Sequence, residues 1–378
     1  MTRMRSHLKS RAMPHSSDAL IAALRTVVDA AGVSIVDAGL VKEAADADGR
    51  VAVTLDVGEG NSRAAIGSRV RETLLALGGV DRVDIRWRDD VPGRAIAADD
   101  PMPGVKHIIL VMSGKGGVGK STTATNLTLA LHRLGYRVGL LDADIYGPSI
   151  PTMLGISGRP VSTDGKHIEP LERFGVKLMS IGFLLEDPKQ AVIWRGPMLT
   201  GALQQFMKDV QWGNLDFLVF DLPPGTGDVA LSLSQRVRST GAVVVTTPQN
   251  VATDDVFKSV SMAQKLEIPV LGVVENMSYF LDPAGLRHEI FGKGGGQAVA
   301  DFAGAPLLGQ LPIDTTVREW GDKGTPVVQA MPQSPIAQMF IAIAERLVDT
   351  IAEGAEDTGL PTIDRSGGQG RVQLPMAK

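Results

Sequence analysis

Cysteine is missing altogether from these 378 residues. Its absence excludes a disulfide, a thiol nucleophile, a Cys-ligated zinc and a thiolate-held iron–sulfur cluster built from this chain alone. Any metal must be held by oxygen or nitrogen. Aromatic residues are scarce, at 4%. No apolar run approaches the roughly 20 residues that cross a bilayer. The opening MTRMRSHLKSRA is basic and lacks the apolar core of a signal peptide. It reads as a frayed terminus in preference to an organellar transit peptide, and a cytoplasmic location is expected. No Lys/Arg cluster stands out and the net charge is -4, which argues against a nucleic-acid partner.

Glycine is plentiful, with 43 residues, a balance that suits many tight loops serving a parallel sheet. The length and the 44% hydrophobic content fit two or three folded units. Residues 1–17 are expected to be a disordered basic terminus and 18–88 a small α/β domain. Its apolar periods give a helix (DALIAALRTVVDAAG), two strands (SIVDAGLVKEA, RVAVTLDV), a second helix and a last strand (VDRVDIRW). Residues 89–104 lose periodicity and gather Pro, Gly and Asp, the composition of a linker. From 105 to 352, runs such as HIILVM, DFLVFD and GAVVVT alternate with helical patterns. Apolar on both faces, they predict a mainly parallel sheet with helices on both sides. Residues 353–378, Gly-rich and aperiodic, are expected to be a disordered tail.

Gly114-Lys115-Gly116-Gly117-Val118-Gly119-Lys120-Ser121 follows the run HIILVM and opens a helix at Ser121 and Thr122. This matches GxxxxGK[ST] in its confirming context of strand, loop and helix. Such glycines let successive backbone N–H groups surround a phosphate, Lys120 supplies a point charge, and Ser121 is placed to ligate Mg²⁺. Two further apolar strands end in acids: Asp142, with Asp144 just beyond it in LLDADIYGPSIP, and Asp221 in FLVFDLPPGTGD. Carboxylates at strand ends beside a phosphate loop hold Mg²⁺ directly or through water. Each alone also fits a loop cap. Asn276 follows the strand PVLGVVE, where its amide can meet a purine edge or turn a loop. Arg195, beside Trp194, fits a phosphate contact, an interface or packing on the indole.

The loop form KGGVGKS resembles the deviant Walker A group that includes MinD, ParA, the nitrogenase iron protein and Mrp. That resemblance implies that Lys115 reaches across a homodimer interface to the partner's nucleotide. Together with LLDADIYGPSIP, VIWRGPM, DLPPGTGDV, TTPQ, ENMSYF and HEIFGKGGG, the chain resembles the Mrp family of ATP-binding iron–sulfur cluster carriers. The implied activity is Mg²⁺-dependent ATP hydrolysis by a P-loop NTPase. The resemblance implies that Lys115, Lys120 and Asp144 would be catalytic, that Ser121, Asp142 and Asp221 would serve the metal, and that Asn276 within ENMS would lie at the adenine-reading position. Residues 223–227 would be the switch segment, and apoproteins awaiting a cluster would be the clients. The N-terminal unit is similar to the small iron–sulfur-assembly domain often fused ahead of such ATPases, with Asp29-Ala30-Ala31 and Gly58-Glu59-Gly60 in place of its usual residues.

One departure cuts against the resemblance. Family carriers place a C-P-x-C pair between ENMSYF and HEIFG, whereas this chain reads Leu281-Asp282-Pro283-Ala284-Gly285-Leu286-Arg287. Asp282 and nearby His288 are poor substitutes for soft sulfur ligands, and Asp-Pro-x-Gly by itself makes a turn. A cluster-free ATP switch that docks a client is the alternative. Membrane or DNA positioning lacks its markers: the tail GGQGRVQLPMAK does not make a basic amphipathic helix, and no basic patch is present.

Overall fold

The computed structural model describes residues 15–47, 49–56, 63–87, 93–144, 147–162, 164–184, 196–225 and 227–357. The first unit runs α1 (Ser17–Leu24), β1 (Val41–Ala47), β2 (Arg50–Leu55), α2 (Arg63–Leu75) and β3 (Arg82–Trp87). Its sheet has the order β1-β2-β3, antiparallel then parallel, and buries Leu20, Val51, Val53, Ile66, Val70 and Ile85 in a core of its own. Ser16 caps α1 by accepting from Ala19 N–H.

The expected first helix stops short and the expected first strand starts late. Thr26, Val27 and Val28 are β-branched and stiff. The Thr26 hydroxyl turns back on Ala23 C=O at 2.8 Å. Asp29 Oδ1 then accepts from the N–H groups of Ala31 and Val33, each at 2.9 Å. These local bonds outcompete the helix ladder, and the chain turns until Val41.

The segment expected as a linker is, from residue 93 onward, docked on the larger unit. The Arg94 guanidinium pairs with Asp100, donates to Met102 C=O at 2.7 Å and to Val105 C=O at 3.2 Å. Both side chains of the pair are 2% exposed. A buried guanidinium is tolerable only with partners of this kind, so it pins residues 93–104 in place.

The larger unit continues with β4 (Val105–Met112), α3 (Lys120–Arg133), β5 (Val138–Asp142), α4 (Ile150–Met153), β6 (Leu171–Arg173), β7 (Val176–Ser180), α5 (Gly196–Lys208), β8 (Leu215–Asp221), α6 (Gly227–Ser234) and β9 (Gly241–Thr246). Then follow α7 (Asn250–Lys265), β10 (Val270–Glu275), β11 (Phe280–Leu281), β12 (Arg287–His288), α8 (Gly295–Ala303), β13 (Leu307–Gln310), α9 (Thr315–Asp322), α10 (Val327–Ala330) and α11 (Pro335–Asp357). Eight strands form one sheet in the order β13-β10-β9-β4-β8-β5-β7-β6, parallel except for the edge pair β6/β7. Two apolar layers cover its faces, as expected for strands apolar on both sides. The last helix passes through Gly354 to Asp357, beyond the boundary expected at 352.

In this order β4 is central, and the chain leaves it through α3 toward β5 on one side while β9 lies on the other. Ligands of open α/β sheets bind outside the carboxyl ends of strands at such a reversal. Register then aligns the acids, since Asp221 of β8 is the neighbour of both Val111 on β4 and Asp142 on β5.

Candidate active site

The loop after β4 closes against its surroundings through glycines. Gly117 and Gly119 have φ of +82° and +85°, left-handed backbone that glycine adopts without steric cost. A Cβ on Gly119 would meet Asn276 Nδ2 at 2.2 Å. A Cβ on Gly114 would lie 2.4 Å from Val256 N, so α7 backbone approaches only because that side chain is absent. Val118 is buried, Gly116 is exposed, and Lys115 and Ser121 are half-buried. The Lys115 carbonyl accepts from the Ser113 hydroxyl at 3.0 Å. Gly225 N–H donates to Ser113 C=O at 2.9 Å, which lays the DLPPG segment beside the loop.

Lys120 stands where α3 begins, with its side chain 6% exposed. Its Nζ lies 2.7 Å from Asp221 Oδ1, 3.3 Å from Asp144 Oδ2 and 3.4 Å from Ser121 Oγ. The structure thus brings together four of the residues singled out from sequence. Asp142 is the next layer: Oδ2 accepts from Ser180 Oγ at 2.9 Å and Oδ1 from Asp144 N–H at 3.2 Å. Burial, together with the facing Asp221, pushes the Asp142 carboxyl above its ordinary value. Burial likewise raises Asp221, opposed by the Lys120 ammonium.

Asp221 Oδ2 is buried and has no hydrogen-bond partner among the described residues. A buried carboxylate oxygen left bare calls for a partner, and a hard cation accepting oxygen ligands fits it, with Ser121 Oγ alongside.

Asn276 donates from Nδ2 to Val118 C=O at 2.9 Å, so its amide sits on the phosphate loop. Thr122 lies in the first turn of α3, its carbonyl accepting from Asn126 Nδ2 at 3.0 Å. Thr226, Trp194 and Arg195 lie outside the described residues, as do Gly58, Glu59 and Gly60.

The segment around Asp282 forms the β11/β12 hairpin, with Phe280 opposite His288 and Leu281 opposite Arg287. Asp282 Oδ1 accepts from Ala284 N–H and Leu286 N–H, both at 2.9 Å, and Oδ2 lies 2.8 Å from His288 Nε2. The turn is closed by a carboxylate. Among the described residues no group of three or more His, Asp or Glu is placed to hold a metal ion, and no helix is long and apolar enough to cross a membrane.

Sequence reasoning quoted Glu275 inside a motif without giving it a role, and passed over Ser180. Both are polar residues closing apolar strands and both are fully buried. That pattern, a polar residue at the end of an otherwise apolar run, was the signal available.

Residues 104–348 match the family model of the NUBPL iron-transfer P-loop NTPase, and residues 17–85 match that of an iron–sulfur cluster assembly protein domain. An iron–sulfur cluster carrier protein of Aquifex aeolicus is 56% identical over 255 residues, 66% of this chain and 69% of its own length. One of Synechocystis is 43% identical over 350 residues, covering 90% of this chain and 99% of the relative. Among solved structures, a nucleotide-binding protein from Archaeoglobus fulgidus in complex with ADP superposes with a TM-score of 0.55. It has 36% identity and covers 65% of this chain and 96% of that one. The cell division ATPase MinD of Pyrococcus furiosus, 24% identical with a TM-score of 0.50 over 64% of this chain and 98% of its own, shares the fold. A phosphate loop after a central parallel strand, acids aligned on two neighbouring strands and matches spanning both units lead to one assignment: the chain belongs to the Mrp family of NUBPL-type iron-transfer P-loop NTPases.

Proposed function

We propose that the protein is a Mg²⁺-dependent ATPase, active as a homodimer, that serves iron–sulfur cluster assembly or transfer to apoproteins. The observation that carries the reading is the Lys120 ammonium, set between Asp221 and Asp144 at the mouth of the glycine loop. On ATP binding, Lys120 exchanges its carboxylate partners for β- and γ-phosphate oxygens, and the loop amides and α3 N-terminus take the remaining charge. Ser121 Oγ and the bare Asp221 Oδ2 would hold Mg²⁺, with Asp142 supporting them through Asp144 N–H and Ser180. Bound Mg²⁺ supplies charge neutralisation on the transferring phosphoryl group. Asp144 orients the attacking water, and Lys115 contributes its ammonium across the subunit interface.

Lys120→Ala should abolish ATP turnover. Asp144→Ala should lower it by about a hundredfold with nucleotide still bound, the scale lost with one positioned catalytic group. Phosphate release and calorimetric titration with ATP and Mg²⁺ measure the two effects. Undiminished hydrolysis in both variants removes these roles.

The second reading, a cluster-free switch that docks a client through nucleotide-driven dimerisation, is favoured by the absence of cysteine and the carboxylate-closed hairpin. Iron and sulfide analysis of the anaerobically purified protein separates the two. Stoichiometric cluster supports the carrier with ligands completed from outside this chain; iron near zero, with and without ATP, supports the switch.

A further inference from the structure

Glu275 is the last residue of β10, fully buried, and no role in the nucleotide site described above uses it. The turn that follows it and two further elements, β13 and α8, supply its hydrogen bonds. Oε1 accepts from Ser278 Oγ at 2.6 Å and from Gln310 Nε2 of β13 at 2.7 Å; Oε2 accepts from Gly296 N–H of α8 at 2.5 Å. That last approach needs glycine, since a Cβ at position 296 would fall 2.6 Å from Glu275 Cβ.

Between Glu275 and Ser278 the backbone is strained. Met277 has φ of +55°, a left-handed conformation unfavourable for a residue with a Cβ, and such strain persists only where its surroundings enforce it. The Ser278–Glu275 bond bridges that residue. Backbone bonds complete the clamp: Asn276 N–H to Thr246 C=O at 2.8 Å, Leu311 N–H to Glu275 C=O at 2.8 Å, and Ser278 N–H to Leu311 C=O at 2.8 Å. The residue held inside this turn is Asn276, whose amide lies on the phosphate loop.

We propose that Glu275 is a positioning residue for nucleotide-base recognition: by bonding Ser278 across left-handed Met277 it fixes the turn that aims Asn276 at a purine. The claim rests on the reading of Asn276 as the base-contacting residue. Glutamine can replace Glu275 with its oxygen toward Gly296 N–H and its NH₂ toward Ser278 and Gln310, whose hydroxyl and amide can turn to accept. Alanine leaves three donors without acceptors.

The test compares ATP with GTP hydrolysis for the full chain and its variants. Glu275→Ala should raise KM for ATP and cut the ATP-over-GTP preference in kcat/KM, each about tenfold, with kcat held within about twofold. Glu275→Gln should restore the preference. In a double-mutant cycle, Glu275→Ala should have no further effect on preference once Asn276→Ala is present. Ser278→Ala, which leaves the Gln310 and Gly296 bonds intact, should lower the preference about threefold and serves if Glu275→Ala does not fold. Unchanged preference in folded Glu275→Ala or in Ser278→Ala overturns the proposal, as does a Glu275→Ala loss that adds to that of Asn276→Ala. If Asn276→Ala leaves the preference unchanged, the base reading itself fails. If the unaltered chain hydrolyses neither nucleotide, the ATPase assignment fails instead.

Discussion

The phosphate-loop cluster and the β11/β12 hairpin are built in opposite ways. Lys120, Asp142 and Asp221 are fully buried or nearly so and come from three elements; strand register sets the two acids side by side, and Lys120 reaches Asp221 from α3. The hairpin is exposed, and every bond Asp282 makes is with a residue no more than six positions away. Charges placed by a sheet are costly to hold and chemically potent. A carboxylate placed by its own turn is cheap and structural. The contrast explains why the hairpin closes without a cysteine, on bonds that its own turn supplies.

The sharpest way to break this contrast is to disturb the sheet-built region by a single methyl group. Gly114→Ala drives a Cβ into the α7 backbone, 2.4 Å from Val256 N and 2.5 Å from the Asp255 carbonyl carbon. Neither atom belongs to a flexible side chain, so the loop must move. Displacement of catalytic groups by about 1 Å costs on the order of a hundredfold, and ATP turnover should fall by at least that much. Turnover within threefold of the unaltered protein would show that the loop is not fixed by α7.

A second prediction measures what the buried acids cost. An Asp whose folded-state pKa is raised binds more protons folded than unfolded, so stability falls as pH rises from its ordinary value near 3.8 toward the raised one. Asp142→Asn removes that penalty while keeping an acceptor for Asp144 N–H. In the absence of metal and nucleotide, its Tm should exceed that of the unaltered chain by several degrees at pH 7.5 and by less at pH 4.5. For a domain of this size each 1 kcal/mol is worth about 2–4 °C. ATP turnover should drop at the same time. A lower Tm at pH 7.5 would mean that the ionised carboxylate stabilises the site.

Much of this was readable in the sequence, for physical reasons that differ by region. The parallel sheet was legible because its strands are apolar on both faces, and the loop because glycine spacing, Lys120 and the flanking strand constrain one another. Asp142 and Asp221 announced themselves as acids ending apolar runs. The Lys120 contacts to both Asp221 and Asp144 were not legible, because register between β5 and β8 is a property of the sheet. The docking of residues 93–104 was equally hidden, since Arg94 finds Asp100 and Met102 only when the chain has folded back. Glu275 was missed because its donors sit 3, 21 and 35 positions away. In the first unit the β-branched run at 26–28 was a local signal, overridden by apolar periodicity in the expectation of a long helix.

The smallest expected effect tests the local side of the comparison. His288 first, then the Leu286 and Ala284 amides, hold the Asp282 carboxyl below its ordinary value. A depressed acid contributes order that is fully present above its unfolded pKa and is lost only as pH falls through the lowered folded value. The Ala284 and Leu286 amide protons should therefore stay protected down to pH 3.8 and open below it. Asp282→Ala should expose both at neutral pH while leaving the global Tm within about 1 °C, because the group is at the surface and its partners are local. Hydrogen exchange read at these two amides decides the matter. If their loss of protection came with a large fall in Tm or in ATP turnover, the hairpin would be coupled to the sheet-built site, and the division into global and local construction would not hold at this edge of the molecule.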